Sequence, residues 1–406
     1  MNYIKRKLET KILKFLKTPE IIAIIGPRQS GKTTLLQKII STQKKACSIS
    51  FEDREILQLF ENNIKEFIDI YVKNKKYLFI DEFQYAKKGG KNLKFIFDTE
   101  KIKIIISGSS APDITIKAIK YLVGRVLILE LFPFDFEEFL LAQADENYLE
   151  KYKDYKKNLF NKKISISPIL HKKFLSYYEN YLIFGGYPRV VLEKNKETKK
   201  EILKNIYSTY FLREVRDMLG LIEDYKLEKL IKALCLQIGN LINYEELSTL
   251  SGYSFLTVKK YLNFLEKSYI LNLTKPFFAN KRNEIIKNNK VFLLDSGLRN
   301  AIVNDFRDLD SRSDKGALLE NGLAEQFIKN NLFFNFWRDK KKNEIDFIVD
   351  YGNGKKIAIE SKSHLKQSTK KIPSYFAKNY PDVEFFYSYE NLKSGINSFS
   401  YPIYLF

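Results

Sequence analysis

Cysteine and histidine are scarce, with two of each in 406 residues. Cys47 and Cys235 lie far apart and form no CxxC or Cys/His pattern, so neither a zinc site nor a disulfide framework is indicated. His171 and His364 offer no metal cluster, which leaves oxygen to ligate any metal. Long apolar runs are also missing. The longest, Tyr121 to Phe132, is broken by Gly124, Arg125 and Glu130 and falls short of a bilayer span. The N-terminus, Met1-Asn2-Tyr3-Ile4-Lys5-Arg6-Lys7, carries charge without a following apolar core, so no signal peptide, no membrane partner and a cytoplasmic address are expected. Acidic residues are in deficit: 49 Asp and Glu stand against 69 Lys and Arg, a formal charge of +20. Nucleic acid is a fitting partner for such a chain. A composition crowded with Lys, Ile, Asn, Tyr and Phe accounts for the same charge without any partner, so charge alone decides little.

What is present begins with Gly26-Pro27-Arg28-Gln29-Ser30-Gly31-Lys32-Thr33-Thr34, set between the apolar run Ile21 to Ile25 and a helix-like stretch to Ile40. This is a phosphate-binding loop in its confirming context of strand before and helix after. The two glycines let backbone N–H groups face the phosphates, Lys32 reaches the terminal phosphates, and Thr33 offers its hydroxyl to magnesium. ATP and Mg²⁺ are the expected cofactors.

Short apolar strands alternate with helical stretches after it: Ala46 to Phe51, Tyr77 to Ile80, Lys103 to Ser107 and Val126 to Leu131. That alternation predicts a parallel sheet covered on both faces, an α/β class. The third strand ends in Asp81-Glu82, where Asp81 would hold magnesium, directly or through water, and Glu82 would polarise the attacking water. Ser107 and Ser109, at the end of the next strand, are candidate γ-phosphate sensors or a plain polar strand exit. Arg125 and Arg213 are candidate arginine fingers, in cis or from a neighbouring subunit of a homo-oligomer, with ordinary surface ion pairs the alternative.

Further along, 145–173 reads as a charged helical hairpin or insertion, and Gly185-Gly186-Tyr187-Pro188 punctuates the helices that follow. Residues 244–265 read as helix, glycine turn, helix, and two strands flank a basic connection at Asn280-Lys281-Arg282-Asn283. Together these predict a winged helix. Its Lys259, Lys260, Lys281 and Arg282 either contact DNA phosphates or form a solvated face. The expected domains are an ATPase core over 1–144, a helical insertion and lid over 145–225, the winged helix over 226–300 and a final α/β domain over 301–406.

With these residues in view, 18–300 resembles the archaeal and bacterial AAA-type ATP-binding proteins whose C-terminal half is catalogued as a domain of unknown function. The resemblance rests on Gly26 to Thr34, Leu78 to Gln84, Ser107 to Ala111, Leu122-Val123-Gly124-Arg125, Phe132-Pro133-Phe134 with Glu138-Phe139, and the Gly185 to Pro188 motif. It implies a P-loop sheet of the additional-strand type, a helical lid and a winged helix. In the last domain, Asn343-Glu344-Ile345-Asp346 and Ile357-Ala358-Ile359-Glu360-Ser361-Lys362 lie on neighbouring predicted strands. If these pair as a hairpin, Asp346 and Glu360 can converge on a second Mg²⁺ or Mn²⁺, with Lys362 beside the reacting group and Glu320 adding a carboxylate. That pattern resembles the PD-(D/E)XK nuclease fold, which implies Asp346 and Glu360 as metal ligands, Lys362 as charge stabiliser and Glu320 as accessory ligand. The expected function is a magnesium-dependent ATPase coupling nucleotide state to DNA binding or processing. An ATP-dependent signalling switch with an inactive C-terminal domain and an ATP-gated nuclease are the alternatives.

Overall fold

The structure is a computed structural model that describes residues 3–108, 121–160, 164–212, 215, 220, 225–278, 284, 287–352, 354–365, 372–392 and 400–406. Ser109, Arg213, Lys281 and Arg282 lie outside the described residues. The chain divides into two compact units, the first running to Phe134 with Lys267–Tyr269 and the second holding Asp135–Glu266 and Ile270–Phe406.

The first unit follows the alternation of the sequence. Helix α1 (Lys7–Phe15) precedes β1 (Ile21–Ile25), α2 (Lys32–Ile40), β2 (Ala46–Ser50), α3 (Arg54–Asn62), β3 (Tyr77–Asp81), α4 (Gly89–Thr99), β4 (Lys103–Gly108) and β5 (Val126–Glu130). All strand pairs are parallel, in the order β2-β3-β4-β1-β5. Strand β4 therefore lies between β1 and β3, the inserted strand that the resemblance implied. Every residue of β1 is buried, as a parallel strand covered on both faces requires. One side of the sheet packs on α2 through Ile22, Ile24, Leu35, Leu36, Ile39 and Phe79. Burying such side chains stabilises by about 1.5–3 kcal/mol each.

The second unit opens with helices: α5 (Phe136–Gln143), α6 (Glu146–Lys157), α7 (Pro168–Phe184), α8 (Pro188–Leu192), α9 (Lys196–Asn205) and α10 (Tyr225–Leu236). Asp135 and Glu138 form a reciprocal capping box that starts α5. The lysine-rich stretch after it is helical because Leu149 and Tyr152, one turn apart, give α6 a buried stripe. Ser167 and Pro168 then start α7. Gly185 ends that helix at φ +75, where a Cβ would overlap the Asp295 carboxylate. That carboxylate accepts the Gly186 N–H at 2.8 Å. The glycine pair thus leaves room for a buried acid to cap the chain reversal.

Helices α11 (Tyr244–Ser251) and α12 (Phe255–Lys267) flank the turn at Gly252, and strands β6 (Leu271–Thr274) and β7 (Lys290–Leu293) pair antiparallel. After α13 (Ser296–Val303) and α14 (Lys315–Lys329) comes a second sheet of β8 (Phe333–Arg338), β9 (Glu344–Asp350), β10 (Lys356–Leu365), β11 (Glu384–Leu392) and β12 (Ser400–Pro402). Strands β9 and β10 form the expected antiparallel hairpin, with Ile359 opposite Phe347. Strand β12, three residues long and ending in proline, carries too little pattern to read from sequence. No helix among the described residues is long and apolar enough to cross a membrane.

Candidate nucleotide site and a second carboxylate cluster

The loop after β1 owes its path to backbone freedom and to one buried arginine. Gly26 sits at φ +150 and Gly31 at φ +95, and a Cβ on Gly26 would overlap the Leu131 carbonyl. Gln29 adopts φ +59, so successive residues alternate handedness, the geometry that turns N–H groups toward an anion. Arg6, from the segment before α1, donates to Ser30 O at 2.7 Å and Phe132 O at 2.6 Å, bracing the loop against the exit of β5. The N-cap of α2 is Gly31, which brings no side chain to its first amides. Ser30 Oγ is buried without a hydrogen-bond partner among the described residues. Lys32, buried, donates to Gly26 O at 3.0 Å and Pro27 O at 2.8 Å.

Asp81, at the end of β3, is the hub. Its Oδ2 accepts Thr33 Oγ1–H at 2.7 Å, and its Oδ1 accepts the Glu82 N–H at 3.0 Å and the Ser107 hydroxyl. The register explains the last contact: Ile80 pairs with Ile106, so Asp81 and Ser107 emerge side by side from adjacent strands. Ser107, read as a candidate γ-phosphate sensor or a polar strand exit, is thus a hydrogen-bond partner of Asp81. Glu82 takes a left-handed backbone at φ +54, ψ +41, uncommon for a residue with a Cβ. Phe83, wedged between Phe51 and Phe60, pins that turn. The Glu82 carboxylate accepts a hydrogen bond from Gln84 Nε2. Gln84 closes one of the stretches that carry the family resemblance but drew no role of its own, since an amide two residues after a carboxylate is no motif in itself. The oxygen set of Thr33 and Asp81 suits magnesium, a hard cation that keeps much of its remaining shell for phosphate and water.

Arg125 pairs with Asp98 at 3.4 Å and lies over the Phe97 ring at 5.9 Å, both side chains partly exposed.

The second cluster belongs to the other unit. Asp346 on β9 and Glu360 on β10 sit near each other, and Asp346 Oδ2 accepts the Ser361 N–H at 2.8 Å. Lys362 Nζ lies 2.6 Å from Glu360 Oε1. Glu320, on α14, turns to a different lysine: Lys290, the first residue of β7, lies 3.0 Å from Glu320 Oε1 and 2.5 Å from Glu344 Oε1. Burial raises all three carboxyl groups, Glu320 to about 8 and Glu360 to about 7, with neighbouring carboxylates adding to the shift and the lysines opposing it. The hairpin brings Asp346 and Glu360 together as expected, but the second Mg²⁺ or Mn²⁺ expected there with Glu320 finds no support. An ammonium lies among these acids, and no group of three or more His, Cys, Asp or Glu among the described residues is arranged to hold a metal. Lys290 escaped the sequence reading because a lone lysine before an apolar strand carries no signal.

Comparison with known proteins agrees with the division of the chain's chemistry. Residues 18–140 match the model of an AAA domain, 175–309 a domain of unknown function, DUF8612, and 315–395 another, DUF4143. An uncharacterized protein of Methanocaldococcus jannaschii is 28% identical over 370 residues, 87% of this chain and 76% of its own length. One from Haemophilus influenzae is 26% identical, covering 73% of this chain and 72% of its own. Among solved structures, a Walker-type ATPase of Pyrococcus abyssi superposes with a TM-score of 0.41 and 16% identity over 74% of this chain and 96% of its own. The loop, the acidic strand end and the parallel sheet thus form a P-loop domain of the AAA type, followed by two segments whose family models carry no assigned function.

Proposed function

We propose that this chain is a magnesium-dependent ATPase whose nucleotide state governs DNA binding or processing by its second unit. One observation carries the ATPase reading: Asp81 is tied to Thr33 at the start of α2 and stands next to Glu82, so a cation ligand and a base share one strand end. Thr33 and Asp81 would hold magnesium, which when bound offsets the charge of the phosphates. Lys32 binds the terminal phosphates, exchanging loop carbonyls for phosphate oxygens as hydrogen-bond partners. Glu82 orients the attacking water and takes up its proton, and Gln84 fixes the carboxylate that does so. Ser107 holds Asp81 in place from the neighbouring strand.

The DNA output rests on the +20 charge and on reading α11, α12, β6 and β7 as a winged helix, with Lys259 and Lys260 exposed on its second helix. A signalling switch with a non-cleaving C-terminal half is the second reading, favoured by the ammonium among the C-terminal acids. The test incubates the purified full chain with ATP and Mg²⁺, alone and with linear, circular, branched and single-stranded DNA, and measures phosphate release. Release that is abolished in Lys32→Ala and rises with one DNA form supports the proposal. Release unchanged in both Lys32→Ala and Glu82→Gln overturns the ATPase reading, and turnover and binding that ignore every DNA overturn the coupling.

A further inference from the structure

Strand β7 reaches helix α14 and the C-terminal sheet by three separate contacts. Its Leu293 N–H donates to Asn321 Oδ1 at 2.8 Å, and Asn321 Nδ2 returns a bond to Leu293 O at 3.2 Å. Its Phe292 packs on Phe334 and Phe347, with ring centroids 6.1 and 5.7 Å away. Its Lys290, 2% exposed, stands between Glu320 and Glu344, with its ammonium also 5.5 Å from the centre of the Phe336 ring. Gly239 makes room at this place: at φ +75, it would bring a Cβ to 3.0 Å from Glu320 Oε2. Backbone, ring and charge thus converge on one approach, and the lysine is held at its root by the strand.

The acids outnumber the cations there. Glu320, Glu344, Asp346 and Glu360 stand against Lys290, Lys362 and Arg338; Lys362 is already paired with Glu360 on its own strand, and Arg338, partly exposed, lies 3.6 Å from Glu344 Oε2. Lys290 comes from the segment matched by one family model, while its carboxylate partners lie in the segment matched by the next. Lys290, the most buried of these cations, thus reaches the C-terminal acids from outside their own domain.

We propose that Lys290 is the resident cation of this carboxylate centre, closing it to divalent metal and holding the C-terminal half in a non-cleaving form joined to β7. Buried carboxylates demand a positive partner, and here the ammonium supplies it at ion-pair distance. Charge balance then favours Lys290 over Mg²⁺ or Mn²⁺ for as long as β7 keeps its place, since bringing a divalent ion in would set two cations against each other in a buried space.

The test uses the full chain without nucleotide and Mn²⁺ as the probe. Free Mn²⁺ is followed by electron paramagnetic resonance for the wild type, Asp346→Asn, Lys290→Met and Lys290→Met with Asp346→Asn, and nicking of circular DNA is followed in parallel. The wild type and Asp346→Asn should bind Mn²⁺ alike and cut nothing. Lys290→Met should bind about ten-fold tighter, a gain lost on adding Asp346→Asn. Wild-type binding or cutting that depends on Asp346 overturns the proposal, and so does a Lys290→Met protein that binds no better than wild type. Lys290→Gln, close in length and uncharged, carries the same comparison if Lys290→Met does not fold, and the wild-type titration decides by itself whether the centre is closed.

Discussion

Both units bury a lysine at the first residue of an element, Lys32 of α2 and Lys290 of β7, yet the two lysines keep different company. Lys32 donates to carbonyls of its own loop, and the nearby Asp81 is served by hydroxyls and an amide. Lys290 is bound to the carboxylates of Glu320 and Glu344, and only Glu344 has a second cation near it, the partly exposed Arg338 at 3.6 Å, among the described residues. A cation on carbonyls can change partners at small cost, whereas one buried on carboxylates cannot leave without stranding their charge. The same residue types therefore make a ligand-exchanging site in one unit and a fixed ionic joint in the other.

The sharpest way to break this contrast is through turnover. Glu82→Gln should lower ATP hydrolysis by about 10²–10⁴-fold, the effect of losing a general base, with nucleotide binding retained. Phosphate release and fluorescent-nucleotide binding, measured on the same preparation, check both halves. Stability separates the two lysines next. Urea unfolding should show Lys290→Met costing about 3–5 kcal/mol, against at most about 1.5–3 for Lys32→Met. Equal losses would erase the distinction.

Two smaller effects test the surroundings. Gly185→Ala sets a Cβ against Asp295 at positive φ and should cost about 1–3 kcal/mol, while Gly124→Ala, at φ +76 with nothing within 4 Å, should lose only about 1 kcal/mol. Thermal melts of the two variants give the order. Finally, burial raises Glu360 to about 7, so in the folded state it keeps a proton over part of the range where the unfolded chain has released it. Stability should therefore decline as pH climbs from 4.5 toward 7, and Glu360→Gln should flatten that slope. Denaturant midpoints across that range would show it, and a slope of the opposite sign would contradict the raised carboxyl.

The sheet of the first unit was legible because β1, β3, β4 and β5 are mostly apolar runs closed by glycine or acid, with the more polar β2 the exception. Ile21 to Ile25 and Lys103 to Gly108 are strands within a residue of expectation. The loop and Asp81-Glu82 were legible for a similar reason: phosphate chemistry fixes residue types at fixed spacing. Ser107 against Asp81 depends on strand order, which no local pattern encodes. Asp295, more than a hundred residues beyond the glycine pair that it caps, was equally out of reach. Lys290 shows the limit most plainly, because its role is set by where β7 docks and by nothing in the residues beside it.

The bonds from Lys32 to Gly26 O and Pro27 O have one more consequence. With Arg6 fastening Ser30 and Phe132, they let the loop hold its curve by itself, as a mould that sets before anything is cast in it. A triphosphate bound there as proposed would spend little of its interaction energy on ordering backbone, leaving more for discrimination between nucleotides that differ by one phosphate.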